Sequence, residues 1–183
     1  MKKPYNLGII VGRFQSFHNG HKDMLDKALE LCETVGVLIG SSQESGTNKN
    51  PFTYETRERI LRKVYGDRLR ICPLPDIGVG NTAKWGDYVV STVVEVFGAP
   101  PDLMISGKEE RRVDWMSGEA GRSIAELYIP KTIDISASRM RRFFVENDLE
   151  SWKEYTDPRL WDSFGELRRI VLAAYENEQT SSI

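Results

Sequence analysis

Gly12-Arg13-Phe14-Gln15-Ser16-Phe17-His18-Asn19-Gly20-His21 follows an apolar run over residues 7–11 and leads into an amphipathic run over 22–33. The stretch reads as a hand-over from a buried strand to a helix. It holds both histidines of the chain, three residues apart across a glycine. On the helix side Met24, Leu25, Ala28, Leu29 and Cys32 recur on one helical face. Asn19 is expected to cap this helix by accepting from a backbone N–H two or three residues on. The helix would then begin at Gly20, with His21 in its first turn. Free N–H groups and the positive end of the helix dipole attract anions there, and Gly20 admits close approach to the backbone. His18 and His21 are expected to converge on one point, a phosphate site. A metal site is the weaker alternative, because zinc takes three or four ligands. The chain has no third histidine, and Cys32 and Cys72 fall at core positions.

Outward from this stretch, strands and helices alternate. A buried strand is predicted over 5–11, a helix over 20–33 and a strand over 34–40. Residues 41–51 are polar, with Gly46, Asn48 and Asn50, and read as a mobile loop. Thr53 can cap a helix running to about Tyr65, with Glu55 in its first turn. A short strand follows over 69–72. Residues 83–97 read as a helix despite the β-branching of Val89, Val90, Val93, Val94 and Val96. Asp102-Leu103-Met104-Ile105-Ser106, closed by Gly107, is a strand, and 127–129 a fifth. Two helices, 138–147 and 159–176, finish the chain, with Pro158 at the start of the second. The alternation predicts an α/β fold, a Rossmann-like doubly wound parallel sheet of about five strands with C-terminal helices. Ligands of such sheets lie beyond the carboxyl ends of the strands. Loops 12–21, 41–50, 73–81, Gly107 and 136–141 would all meet there.

The chain of 183 residues fits one domain, with a core over about 5–147 and a helical part over about 148–178. Its 40% apolar and 28% charged residues are ordinary for a globular protein. A net charge of −2 gives no global push toward nucleic acid or anionic membranes, so any anion site must be local. Two cysteines make no disulfide framework, the start lacks a signal-peptide cleavage pattern, and no apolar run is long enough to span a bilayer. A cytoplasmic protein binding small-molecule nucleotides is expected, with neither nucleic acid nor membrane as partner.

A second constellation, Ile135-Ser136-Ala137-Ser138-Arg139-Met140-Arg141, leads into another helix. Ser136 or Ser138 can cap it, and Arg141 follows one turn in. Hydroxyls, free amides and a guanidinium at one helix start make a second anion cradle; the alternative is that Arg139, Arg141 and Arg142 form a solvated basic face.

Together, Gly-Arg-Phe-Gln-x-Phe-His-x-Gly-His at 12–21 and Ile-Ser-Ala-Ser-x-x-Arg at 135–141 resemble the HxGH nucleotidyltransferase superfamily. The chain looks most like nicotinamide-nucleotide adenylyltransferases of the archaeal type and of the type fused to a Nudix hydrolase. Ile39-Gly40-Ser41-Ser42-Gln43, Asn50-Pro51-Phe52-Thr53 with Arg57, and Pro75-Asp76-Ile77 with Asn81 and Trp85 agree. The likeness covers about residues 7–144, and no Nudix segment is expected. Departures fall at Ser16, where proline is usual, and at Ser138, where threonine is usual. A third is Ser106-Gly107-Lys108-Glu109-Glu110-Arg111-Arg112, which does not match the family pattern.

The resemblance implies that ATP lies over Gly12, Arg13, Phe14, His18, Gly20 and His21, and that Gly107 lies beside it. A phosphate monoester attacks the α-phosphorus and pyrophosphate leaves. His18 and His21 donate to phosphate oxygens; their ordinary pKa of about 6.5 makes partial protonation plausible. Ser136, Ser138 and Arg141 hold the outer phosphates, and Arg13 spans the phosphates of both substrates. Mg²⁺ is carried mainly by ATP oxygens and water, with no protein side chain as ligand. For nicotinamide mononucleotide the implied contacts are Ser41, Arg57 as a phosphate clamp, Asp76, Asn81, and Trp85 stacked on the ring. Trp85 reads equally as a core aromatic, and Trp115, Trp152 and Trp161 as core or interface. The family implies a homo-oligomer. Two other readings use the same nucleotide motifs: adenylyl or cytidylyl transfer to another acceptor, such as phosphopantetheine or a flavin nucleotide, and a non-catalytic regulator that binds adenine nucleotide.

Overall fold

A computed structural model describes residues 2–107 and 111–180, without the side chains of Arg111 and Arg112. Five strands form one parallel sheet: β1 (Tyr5–Gly12), β2 (Cys32–Gly40), β3 (Arg70–Leu74), β4 (Leu103–Ser106) and β5 (Ala125–Tyr128), in the order β3-β2-β1-β4-β5. The chain winds one way from β1 to β3 and the other way from β1 to β5. The strand order therefore reverses beside β1, where a doubly wound sheet opens its ligand crevice.

Alternation of side chains gives the sheet two apolar faces. Ile10, Val35, Val37, Ile39, Leu103 and Ile105 pack on one side with α1 (Asn19–Leu31) and α2 (Tyr54–Tyr65). Leu7, Ile9, Leu38, Cys72, Leu74 and Met104 pack on the other with α3 (Ala83–Phe97). Near-continuous apolar strands of this kind are what a sheet covered on both faces requires. The valines of α3 are helical because burial outweighs the propensity of an isolated segment: Val89, Val90 and Val93 are buried, whereas Val94 and Val96 face out. Gly86 lets this helix sit against a backbone; a Cβ there would lie 1.5 Å from the Trp115 carbonyl oxygen.

The short helices α4 (Arg111–Asp114) and α5 (Glu119–Arg122) lie between β4 and β5, in a stretch without readable periodicity. The chain ends in α6 (Ala137–Glu146), α7 (Leu149–Glu154), a 3₁₀ turn over Pro158–Ser163 and α8 (Phe164–Thr180). Their rings lock together, Phe144 against Phe164 at 5.2 Å and Trp152 against Phe164 at 5.3 Å between centroids. The expected 159–176 helix is thus divided. Asp157 accepts from the Arg159 N–H at 3.0 Å and starts the 3₁₀ turn at Pro158, and the α-helix proper begins six residues later.

Several boundaries also move by one or two residues, and the fifth strand, expected over 127–129, is Ala125–Tyr128. Strand β2 starts at Cys32 because that residue pairs with Tyr5 and its thiol sits over Gly8, where a Cβ would be 2.3 Å away. Helix α1 starts at Asn19, with His18 in the capping position and no side-chain cap. Asn19 does not cap, since its side chain donates to the Glu154 carbonyl at 3.3 Å and its N–H to the Tyr155 carbonyl at 2.8 Å. No helix among the described residues is long and apolar enough to cross a membrane.

Candidate active site

A cleft of about 700 Å³ opens at the carboxyl edge of β1, β2 and β4. The turn after β1 forms its floor. Phe14 takes φ 53°, a backbone conformation that costs energy outside glycine and clusters at functional turns. Its buried ring lies under His21 at 4.9 Å, and Gly12 leaves room for it, since a Cβ there would be 3.2 Å from the ring.

His18 and His21 stack at 3.9 Å between centroids, 27° apart. Gly20 gives the stack room, because a Cβ there would press on the His18 ring at 3.1 Å. The Nδ1 atoms of both rings are buried without a hydrogen-bond partner among the described residues. Buried polar atoms are almost always satisfied, and these two are exceptions in side chains that line the cleft. Burial, and then the charge of Lys131, pushes the His18 pKa down to about 4. Burial, and then His18, holds His21 well below its ordinary value. The partial protonation expected from an ordinary pKa is therefore corrected: both rings are neutral near neutral pH, and each carries one N–H.

The C-terminal motif arrives from α6. Ser136 caps that helix, accepting from the Arg139 N–H at 3.2 Å. Ser138 Oγ accepts from Arg141 Nη2 at 3.2 Å, and Arg141 Nη1 donates to the Gln15 carbonyl. Burial, with Arg13 as a neighbouring charge, lowers the Arg141 pKa. Gln15, a motif residue to which the sequence assigns no role, is buried and clasps Phe52, donating to its carbonyl at 2.8 Å and accepting from its N–H at 2.9 Å. Arg13 donates to Asn50 Oδ1 at 3.4 Å.

Ser41, at φ 46°, lines the cleft at the end of β2. Asp76 and Gln43 bridge the loops after β3 and β2, with the Asp76 N–H on Gln43 Oε1 at 3.0 Å and Gln43 Nε2 on Asp76 Oδ2 at 3.4 Å. Asn81 and Trp85 line the same end, and Trp85 packs on Trp115 at 6.3 Å. Trp115 is both core and cleft wall, Trp152 is core, and Trp161 is exposed. Gly107 lines the cleft beside Met24. Lys108, Glu109 and Glu110 of the atypical segment lie outside the described residues.

Arg57 is the exception. It is fully buried outside the cleft lining and donates to the carbonyls of Gly40 at 2.8 Å, Arg13 at 3.0 Å, Ser41 at 3.1 Å and Thr53 at 3.2 Å. Its planar fork ties the loops after β1 and β2 to α2, so its expected role as a phosphate clamp is corrected to a brace. No local signal separates a buried arginine from a cleft arginine one helical turn inside a capped helix.

Cations, amide N–H groups and hydroxyls gathered at the switch point of a doubly wound sheet define a nucleotide-binding α/β protein. The chain belongs to the cytidylyltransferase-like family, whose model matches residues 9–143. It is 31% identical over 169 residues to the nicotinamide-nucleotide adenylyltransferase of Thermococcus kodakarensis, covering 89% of this chain and 84% of that one. The corresponding figures for the relative of the same name from Thermococcus onnurineus are 30% over 168 residues, with 89% and 84% covered. Among solved structures it resembles the bifunctional NMN adenylyltransferase/ADP ribose pyrophosphatase of Francisella tularensis complexed with AMP and manganese ion. The TM-score is 0.76 at 20% identity, covering 97% of this chain and 54% of that one, and this likeness is one of fold.

Proposed function

We propose that the chain transfers AMP from ATP to the phosphate of nicotinamide mononucleotide, giving NAD and pyrophosphate. A phosphate oxygen of the mononucleotide attacks the α-phosphorus in line. A P–O bond forms as the bond to the α,β-bridging oxygen breaks, and pyrophosphate leaves with the electron pair. The nucleophile is already an anion, so no side chain need remove a proton. The residues act by positioning and by stabilising charge on the leaving oxygens.

The observation that carries this reading is the sharing of one cleft by the stacked histidine pair and the Ser138–Arg141 pair. The histidines donate one N–H each to the transferring phosphoryl group. Arg141, Ser136 and Ser138 hold the outer phosphates, and Arg13 reaches toward both substrates. The end lined by Asp76, Asn81 and Trp85 takes the nicotinamide ring, with Trp85 as the stacking face.

Among the described residues no three His, Cys, Asp or Glu side chains gather to hold a metal. The two described carboxylates lining the cleft have partners already, Asp23 from Thr132 and Asp76 from Gln43. This donor set fits Mg²⁺ carried by phosphate oxygens and water, where it would neutralise phosphate charge.

The test is pyrophosphate release with ATP or CTP against a panel of phosphorylated acceptors. Release with ATP and nicotinamide mononucleotide is expected. Release only with another pair, such as a flavin nucleotide or phosphopantetheine, would replace the acceptor. Nucleotide binding without release for any pair would make the chain a sensor.

A further inference from the structure

Among the described residues the cleft has a third cation that the motifs do not contain. Lys131 lies in the loop joining β5 to α6 and lines the cleft. That loop is pinned: the Ile129 N–H donates to the Ser106 carbonyl at 2.8 Å, and Thr132 Oγ1 donates to Asp23 on α1 at 3.3 Å. The pinning holds Lys131 near the start of α1, close enough for its charge to act on His18.

The present partner of Lys131 is a weak one. Its Nζ donates to Asp134 Oδ1 at 2.9 Å, with the lysine side chain 54% and the aspartate 95% exposed. Ion pairs this exposed contribute little, because water screens them and both side chains lose freedom. Asp134 also has a second cation in reach. Arg139 donates to its carbonyl at 3.1 Å and lies 4.0 Å from its other carboxylate oxygen. Arg139 is itself held over the rings of Tyr155 and Phe143. Lys131 can therefore leave Asp134 without stranding either partner.

We propose that Lys131 is a phosphate-binding residue that exchanges Asp134 for the pyrophosphate portion of the bound triphosphate. The exchange is downhill because a multiply charged phosphate in a half-enclosed cleft outbids one exposed carboxylate. Asp134 acts as a competitor that keeps the lysine placed at the cleft between turnovers. The inference rests on the nucleotidyl-transfer reading of the cleft and adds a residue to its phosphate end.

The test measures binding of inorganic pyrophosphate with Mg²⁺ to the whole chain and its variants, together with the NMR titration of His18, one of only two histidines. Lys131→Met should weaken binding about tenfold to a hundredfold and flatten its salt dependence. It should also raise the His18 pKa, which Lys131→Arg, by keeping the charge, should leave low. Lys131→Arg should restore most of the affinity, and Asp134→Asn should tighten binding. Unaltered binding in Lys131→Met, or weaker binding in Asp134→Asn, would overturn the proposal. Pyrophosphate binding that behaves as expected in a chain that makes no NAD would leave Lys131 in place and remove the acceptor reading instead.

Discussion

His18 and His21 illustrate how little a residue's ordinary chemistry says about it once it is packed. Two rings stacked at 3.9 Å in a buried turn cannot both carry charge, and burial keeps both neutral. Below about 6.5 a histidine in the unfolded chain takes up a proton that folded His18 refuses until about pH 4. The unfolded state binds more protons in that window, so stability falls as pH drops through it. Denaturant midpoints at about pH 7 and about pH 5 should show this fall, and His18→Gln should flatten it. For turnover, His21→Ala should cost several orders of magnitude with the fold retained; near-normal rates would remove the donor role. Arg57 gives the opposite case. Arg57→Met leaves several buried carbonyls without a donor and should cost about 3 kcal/mol of stability. Thermal melting should show that loss even without nucleotide, which a phosphate clamp at the surface would not produce.

At the scale of elements, the long helices were legible from their periodic apolar pattern and the strands from short apolar runs between turn residues, although the four-residue β5 starts two residues before its expected span of 127–129. Helix α2 matches its Thr53 cap and Glu55 first turn, since the Thr53 side chain accepts from the Thr56 N–H as a local motif. Helix α1 does not match its expected cap, since Asn19 is taken by carbonyls of α7 and of the residue after it, 135 positions away in the case of Glu154. The short α4, α5 and α7 have too few residues to show a period. Gly86 marks the limit from the other side. In the sequence it is a weak spot in a helix; in the fold it is the contact between α3 and the Trp115 backbone. Gly86→Ala should therefore destabilise by about 3 kcal/mol, at the upper end for overpacking, although alanine is the better helix former. A stability equal to or above that of the parent chain in chemical denaturation would contradict this packing.

For the whole molecule, the cleft is built from loops that are far apart in the chain and adjacent at one sheet edge. Ligand binding should therefore tie β1, β2, β4 and α6 together and raise the melting temperature. The rise should grow with the logarithm of ATP concentration once the site is filled, and Arg141→Ala should shrink it strongly. An ATP-independent melting temperature would argue against the cleft as the nucleotide site.

The sequence by itself determined the order of strands and helices, the two donor-rich helix-start motifs and the edge of the sheet at which they meet. These follow from patterns between near neighbours, which a chain carries whatever its surroundings. Only the tertiary structure decided that Arg57 braces the loops while Arg141 reaches the cleft, that both histidines are neutral, that Gln15 clasps Phe52, and that Lys131 lines the same cleft. Burial and the partners a side chain finds depend on segments brought together by packing. Charge state and donor direction are set by that packing, and no spacing along the chain encodes them.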